Sequence, residues 1–331
     1  MSSMRNAGFT IIELMVATVL VGILMIFTMQ IFTVNNRAYV KTDSVVETQQ
    51  SARVIAGTIE RDLRHAGMMV PEGAAVCGID NDAGPDRIYI SDYTATNPTG
   101  STGTFDGVGI QNSITNVSAG SNTFDLDSLM IEPGTPDPAF DTDGNGTNDS
   151  DFLEGGGVIV VDLLDLDRGS ACGTVTNVNI GGEAISVTIV TDPLDAAGGT
   201  TNLVAVPAIE YRITSEALYR NGLKLADSIE DLQFAYLIDL NGDSDIGAGE
   251  VLGDGTSPNY EADDNNAAEL RGVRFNVVAR ARSEDERFNE GHFQALENRA
   301  DPGTGRDGFR RRVHTNTVRL RNVGDRVEDP V

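Results

Sequence analysis

The chain has 331 residues, enough for a long helix plus one large domain or two small ones, and its 50 Asp+Glu outnumber 24 Lys+Arg to give a net charge of −26. A field that negative argues against nucleic acid or anionic lipid as a partner of the water-exposed part. Catalytic signatures are missing too. His65, His292 and His314 are too scattered for a metalloprotease pair, Cys77 and Cys172 form no C-x-x-C, and no nucleophile elbow or phosphate-binding glycine loop occurs. The chain reads as a non-enzyme.

The first element is apolar. From Phe9 to Phe32 there is a single charge, Glu13, and at about 1.5 Å of rise per residue such a helix crosses a hydrocarbon core of roughly 30 Å. A secretory signal would end in a small-residue cleavage site after its apolar core; here the chain runs instead into Asn35, Asn36 and Arg37. The break in character precedes the run, at Ala7-Gly8. The order Gly8-Phe9-Thr10-Ile11-Ile12-Glu13-Leu14 resembles the class III signal of type IV prepilins. That resemblance implies cutting between Gly8 and Phe9 by a prepilin peptidase and methylation of the new amine. A carboxylate in hydrocarbon is expensive and marks function by default. The partner expected for Glu13 is the Phe9 amine of a neighbouring subunit, which would set axial register; the alternative is an acid that reaches the headgroups from an uncleaved anchor.

Past Phe32 the pattern becomes amphipathic. Val45, Gln49, Ala52, Ile55, Ile59, Leu63 and Ala66 recur at steps of three and four, with charges between them. No proline interrupts Phe9 to Ala66 and Gly67 is a natural stop, so one helix is expected over 9–66, with Gly22 and Gly57 as weak points. From Gly67 the texture turns to strand and loop. Strands are expected at Arg87–Ser91, Thr123–Ile131, Val158–Leu163, Cys172–Asn179, Ala184–Thr191, Leu203–Thr214, Ile229–Ile238, Val273–Arg282 and Val313–Arg321. Alternating polarity, as in Val273-Arg274-Phe275-Asn276-Val277, suits an antiparallel sheet with one wet face. Long loops are left at 92–122, 132–156 and 239–269. The fold class is therefore α+β: a leader over 1–8, a helix over 9–66 (membrane-spanning over 9–32), and a β-rich head over 67–331.

Three stretches near the C-terminus, Ser228–Tyr236, Leu270–Arg274 and Arg310–Val313 with Thr317–Asn322, resemble the PilW-like minor pilins, as does Arg61-Asp62-Leu63-Arg64-His65-Ala66-Gly67 at the helix end. The resemblance implies a low-abundance subunit that primes or caps a type IV pilus. It implies as partners other major and minor pilins through the helix, the prepilin peptidase and the assembly platform. The location implied is the inner membrane before assembly and a cell-surface pilus after it. A minor pseudopilin of a type II secretion system has the same signal and architecture. An adhesin or ligand-binding head on a pilin stalk, using loops 92–122 and 132–156, is a reading from another class.

Across the inner membrane the compartment is oxidising, so Cys77 and Cys172 are expected either to bridge or to lie as two buried thiols. Two acidic loops have calcium-like spacing. One offers Asp141, Asp143, Asn145, Asp149 and Asp151 but has Phe152 where the bidentate acid belongs. The other offers Asp239, Asn241, Asp243, Asp245 and Glu250 but has Ser244 where glycine is expected. Calcium is the cofactor these loops suggest, and a solvated Asx-rich turn is the other reading. The basic cluster Arg306, Arg310, Arg311 and Arg312 is expected to form ion pairs with acidic strands rather than to bind nucleic acid.

Overall fold

A computed structural model describes residues 10–92 except 72, the strands at 112–117 and 123–126, residues 152–166, 169–179 and 184–189, and residues 203–323 except 244, 248, 263–268, 286–287, 289–290, 292–294 and 301–305. Among the described residues one helix is followed by fourteen antiparallel-paired strands, an α+β chain. Helix α1 spans Ile11–His65 and runs through Gly22 and Gly57 without a break. Two compact units divide within it, Met1–Glu47 and Thr48–Val331.

In the first unit the helix is apolar on every side over 11–32, with Ile11, Leu14, Val19, Leu24, Phe27, Ile31 and Phe32 all exposed, and beyond it carries Asn35, Asn36, Arg37, Lys41, Asp43 and Glu47. Its most apolar 18-residue window has a mean hydropathy of 2.5, long and apolar enough to cross a membrane. A helix hydrophobic all round is one whose solvent is not water.

In the second unit the remainder of α1 buries one stripe: Thr48, Ala52, Ile55, Ala56, Ile59, Asp62 and Leu63. The expected stripe is displaced at its start, where Gln49 is exposed and Thr48 is covered. The stripe joins a core built from two sheets. The C-terminal sheet has the order β12-β11-β13-β14, formed by Val251–Leu252, Ile229–Ile238, Leu270–Arg280 and Arg311–Arg319. It contributes Phe234, Tyr236, Val273, Phe275 and Val277 to that core.

The larger sheet closes on itself. Strand β8 (Leu203–Thr214) pairs with β3 (Asn112–Val117) on one flank and β5 (Gly157–Asp162) on the other, and the path β3-β4-β7-β6-β5 returns to it. The intervening strands are β4 (Thr123–Leu126), β6 (Ser170–Asn179) and β7 (Ala184–Ile189). Strands β5 and β8 thus lack a wet face. In β5, Ile159 and Val161 face the main core while Val158 and Val160 face a second apolar cluster with Phe152, Val175, Ile185 and Val187. A run such as Gly157-Val158-Ile159-Val160-Val161, which does not alternate in polarity, is what two-sided burial requires. Pro207 sits inside β8 because the β3 flank ends at Ala205 and the β2 flank (Arg87–Ile90) begins at Ile209. In that gap a missing N–H costs no ladder bond, and the Pro207 carbonyl accepts the Ser91 hydroxyl at 2.7 Å.

Five strands escaped the sequence reading: β1 (Val76–Ile79), β3, β9 (Ala217–Arg220), β10 (Leu223–Asp227) and the two-residue β12. Strand β3 lies inside the expected loop 92–122 and β12 inside 239–269, so neither is strandless. Strand starts also move: β6 begins two residues before Cys172, β13 three before Val273 and β14 two before Val313.

Candidate functional site

The features that bear on function are the helix start, the helix end and the acidic loops. At the start, Thr10 and Glu13 form a reciprocal pair. The Thr10 N–H and hydroxyl both donate to Glu13 Oε2 at 2.9 Å, and the Glu13 N–H donates to Thr10 Oγ1 at 3.3 Å. This is a capping box, in which the first-turn donors that a helix leaves unpaired are satisfied by T-x-x-E. The spacing is plain in the sequence, and reading Glu13 only as an intramembrane acid passed over it. Oε1 of Glu13 makes no bond among the described residues. Gly8 and Phe9 lie outside those residues.

At the other end the R-D-L-R-H-A-G stretch is a docking device. Asp62 is buried on the inner stripe, and its Oδ2 accepts the Tyr211 hydroxyl at 2.6 Å and Arg220 Nε at 2.9 Å, while Arg61 reaches Oδ1 at 3.3 Å. A carboxylate taken out of water needs such partners. Burial and the Asp62 charge push the Tyr211 hydroxyl well above its ordinary range. Gly67 then stops the helix at φ +80°, its N–H donating to Ser91 O at 2.9 Å. A side chain there would meet Asn322 O and Val323 Cγ2 at 2.9 Å. Asn322, from the stretch after β14, donates to the Ala66 carbonyl at 3.2 Å, and Asn316 donates to Glu60 at 2.8 Å. The two ends of the chain that carry the family resemblance are therefore bonded to each other.

Cys77 on β1 and Cys172 on β6 are joined by a disulfide with Cα atoms 6.2 Å apart, closing a sequence separation of 95 residues. The basic cluster is occupied by acids, as expected for Arg310 and Arg311. Arg311 binds Glu230 and Asp307 with both arms of its fork, and Arg310 meets Asp285 at 3.2 Å while lying 3.9 Å from the Phe288 ring centroid. The bonds to Asp307 and Glu230 raise the Arg311 guanidinium further, and Arg311 in turn lowers Asp307.

Of the two calcium-like loops, the first (Asp141, Asp143, Asn145, Asp149, Asp151) lies outside the described residues. In the second, Asp239 is buried and paired with Arg271 at 3.2 Å, and Glu250 Oε2 accepts the Gly247 N–H at 2.6 Å. Asn241 and Asp243 accept the N–H groups of Asp243 and Asp245, each at 2.8 Å. These are Asx turns. As placed, the oxygens serve the turn and an arginine rather than a common point, and among the described residues no three His, Cys, Asp or Glu side chains gather as a metal-holding group.

An apolar N-terminal helix with a capped start, continuous with a stripe latched onto an antiparallel β-rich head, is consistent with membrane anchoring. Comparison with known proteins narrows the class. Residues 3–29 match the family described as Prokaryotic N-terminal methylation motif, and residues 196–322 match Type IV Pilus-assembly protein W. The second stretch runs from β8 through Asn322; the helix-end motif at Arg61–Gly67 falls outside both. No curated protein matches the chain. Among solved structures, the Type IV-like pilin TTHA1219 from Thermus thermophilus aligns over 83% of this chain and 95% of its own at 13% identity, with a TM-score of 0.27. The two family matches, one over the start of the helix and one over the C-terminal part of the chain, support a likeness to type IV prepilin-like proteins of the PilW-like kind.

Proposed function

We propose that this chain is a minor pilin that helps to start or cap assembly of a type IV pilus. On this reading it is cut between Gly8 and Phe9 and stored in the inner membrane by helix 9–32. It is then drawn into the helical core of a filament, against other pilins. The observation that carries the reading is the uninterrupted helix Ile11–His65, apolar on all sides over 11–32, under a prokaryotic N-terminal methylation motif. Lipid tails and neighbouring apolar helices are the two environments that satisfy such a surface. In this role Glu13 Oε1 takes the Phe9 amine of the adjacent subunit, which neutralises both charges away from water.

The test is intact mass and N-terminal sequencing of the protein recovered from sheared surface filaments. A chain that begins at methylated Phe9 supports processing and incorporation together. A chain that begins at Met1 or Ser2 and stays in the inner membrane removes the pilin role and leaves an anchored head.

A further inference from the structure

Apart from the assembly elements, the β1–β2 turn brings two carboxylates to a place where no cation answers them. The turn reads Asp80-Asn81-Asp82-Ala83-Gly84-Pro85-Asp86. Among the described residues neither Asp80 nor Asp82 forms an ion pair. Burial is the largest influence raising Asp80, and the charges of Asp82 and Glu297 add to it; Glu297 is itself held by Arg274 at 2.6 Å.

Two amides from distant parts of the chain converge on the same point. Asn259 Nδ2 donates to Asp82 Oδ1 at 2.9 Å. Asn298 Nδ2 faces three oxygens at once: Asp80 Oδ1, Asp82 Oδ1 at 2.9 Å and Asn259 Oδ1 at 3.3 Å. Its own Oδ1 is buried with no partner. An amide has two ends of nearly equal size. Turned over, Asn298 would aim a fourth oxygen into the group, an arrangement that a cation or a carboxyl proton reconciles.

A second orphan points the same way. Tyr236 is fully buried and, among the described residues, its hydroxyl has no partner. That hydroxyl fills the space where a Gly78 side chain would stand, 1.9 Å from the position of its Cβ. Asp80 follows Gly78 by two residues, just past the end of β1. The Tyr236 ring stacks on Tyr260 at 3.9 Å, and the Tyr260 N–H donates to Asp80 Oδ2 at 2.9 Å. A buried hydroxyl without a partner is costly, and a cation-held water would give it a hydrogen bond.

We propose that Asp80, Asp82, Asn259 and Asn298 form a divalent-cation site of calcium type, with water completing the shell next to Tyr236. Carboxylate and amide oxygens supplemented by water are the ligand set of Ca²⁺. The site ties the β1–β2 turn to the segments at 259 and 298, and is distinct from the acidic loops at 141–151 and 239–250.

The test uses the full chain in detergent, stripped with chelator and titrated with Ca²⁺ by calorimetry. A parallel titration follows Tb³⁺ luminescence excited through tyrosine, which is uncomplicated because the chain has no Trp. Asp82 is exposed, so D82N removes a ligand charge without opening the core. D82N and N298A are each expected to weaken Ca²⁺ binding about tenfold or more and to reduce the sensitised Tb³⁺ emission. Y236F is expected to weaken binding by a smaller factor, as outer-shell partners do. D243N, in the other loop, should leave this binding unchanged. Calcium affinity unaltered in both D82N and N298A, loss of binding in D243N instead, or no binding by the stripped wild-type chain would each overturn the assignment. None of these outcomes depends on whether the chain enters a filament.

Discussion

The two halves of α1 are one continuous helix with different surfaces. Each carries an acid among apolar residues, and the two acids are handled in opposite ways. Asp62 is enclosed by Tyr211, Arg220 and Arg61, all from its own chain, so its charge is satisfied on folding. Glu13 has only its local capping box, and Oε1 makes no bond among the described residues. The half that ends in Asp62 is completed by intramolecular packing; the half that begins at Glu13 presents its apolar surface on every side and is completed by whatever surrounds it.

The largest effect expected from breaking this contrast is at Asp62. D62A leaves the half-buried Arg220 and the buried Tyr211 hydroxyl without their common acceptor, a change that costs up to about 3–5 kcal/mol when one partner of a buried pair is removed. Urea unfolding of the full chain in detergent, followed by far-UV circular dichroism, measures it, and a loss below about 1 kcal/mol would mean that water reaches the pair. Next comes the disulfide. Replacing Cys77 and Cys172 by Ser is expected to cost about 2–5 kcal/mol, toward the upper end because the closed loop is long. The loss should appear in the unfolding of the head and leave the apolar half of the helix unaffected.

A third acid sharpens the comparison, because it is buried with no cation bonded to it. Asp86 accepts the N–H groups of Asn81 at 2.8 Å and Phe234 at 2.7 Å, yet burial, and after it the charge of Asp80, push it up to about 9. The folded state then holds a proton that the unfolded chain, with an Asp near 3.9, releases. The sign follows directly: the contribution is complete below pH ~4 and is lost as pH rises toward 9. The wild-type stability should decline with pH across that window at up to about 1.4 kcal/mol per unit from this group. D86N has no proton to release in that window and should flatten the slope. Asp80, Asp231 and Glu210 are raised by burial as well and leave part of the slope in place.

What the sequence displayed and what it hid follow from the range of the forces involved. The helix was legible almost to its last residue because a 3.6-residue period, an absence of proline and Gly67 are local signals. Strands such as Leu203–Thr214 and Ile229–Ile238 were legible because β-branched runs bounded by turn residues are local as well. The closure of β8 through β3-β4-β7-β6-β5 was not, since it is a matter of which strands meet, and two-sided burial in β5 looks like any short apolar run. Strands β9 and β10 were hidden for another reason: Leu223-Lys224-Leu225 is exposed and short, and its pairing rests on the turn at Asn221-Gly222. The function-bearing residues divide in the same way. Gly8, Phe9 and Glu13 form a contiguous motif, whereas the bonds of Asp62 to Tyr211 and Arg220 span about 150 residues. The group at Asp80, Asp82, Asn259 and Asn298 had one local trace, the D-x-D-x-G spacing of the β1–β2 turn, and its amides come from far along the chain.

The smallest effect on stability, and the most informative about assembly, is expected at the helix start. Thr10 and Glu13 share a capping box, so if capping were the only role of Glu13, T10A and E13Q would behave alike. Each would loosen the first turn by about 0.5–2 kcal/mol, and neither would move head stability by more than about 0.5 kcal/mol, being remote from its core. The proposed pairing with a neighbour's Phe9 amine separates them. T10A keeps the carboxylate and should still be recovered in sheared filaments. E13Q keeps an oxygen acceptor for the Thr10 N–H but loses the charge, and should be processed normally yet remain in the membrane fraction. Equal recovery of both variants in filaments would assign Glu13 to the cap and leave register to the packing of the apolar helix alone.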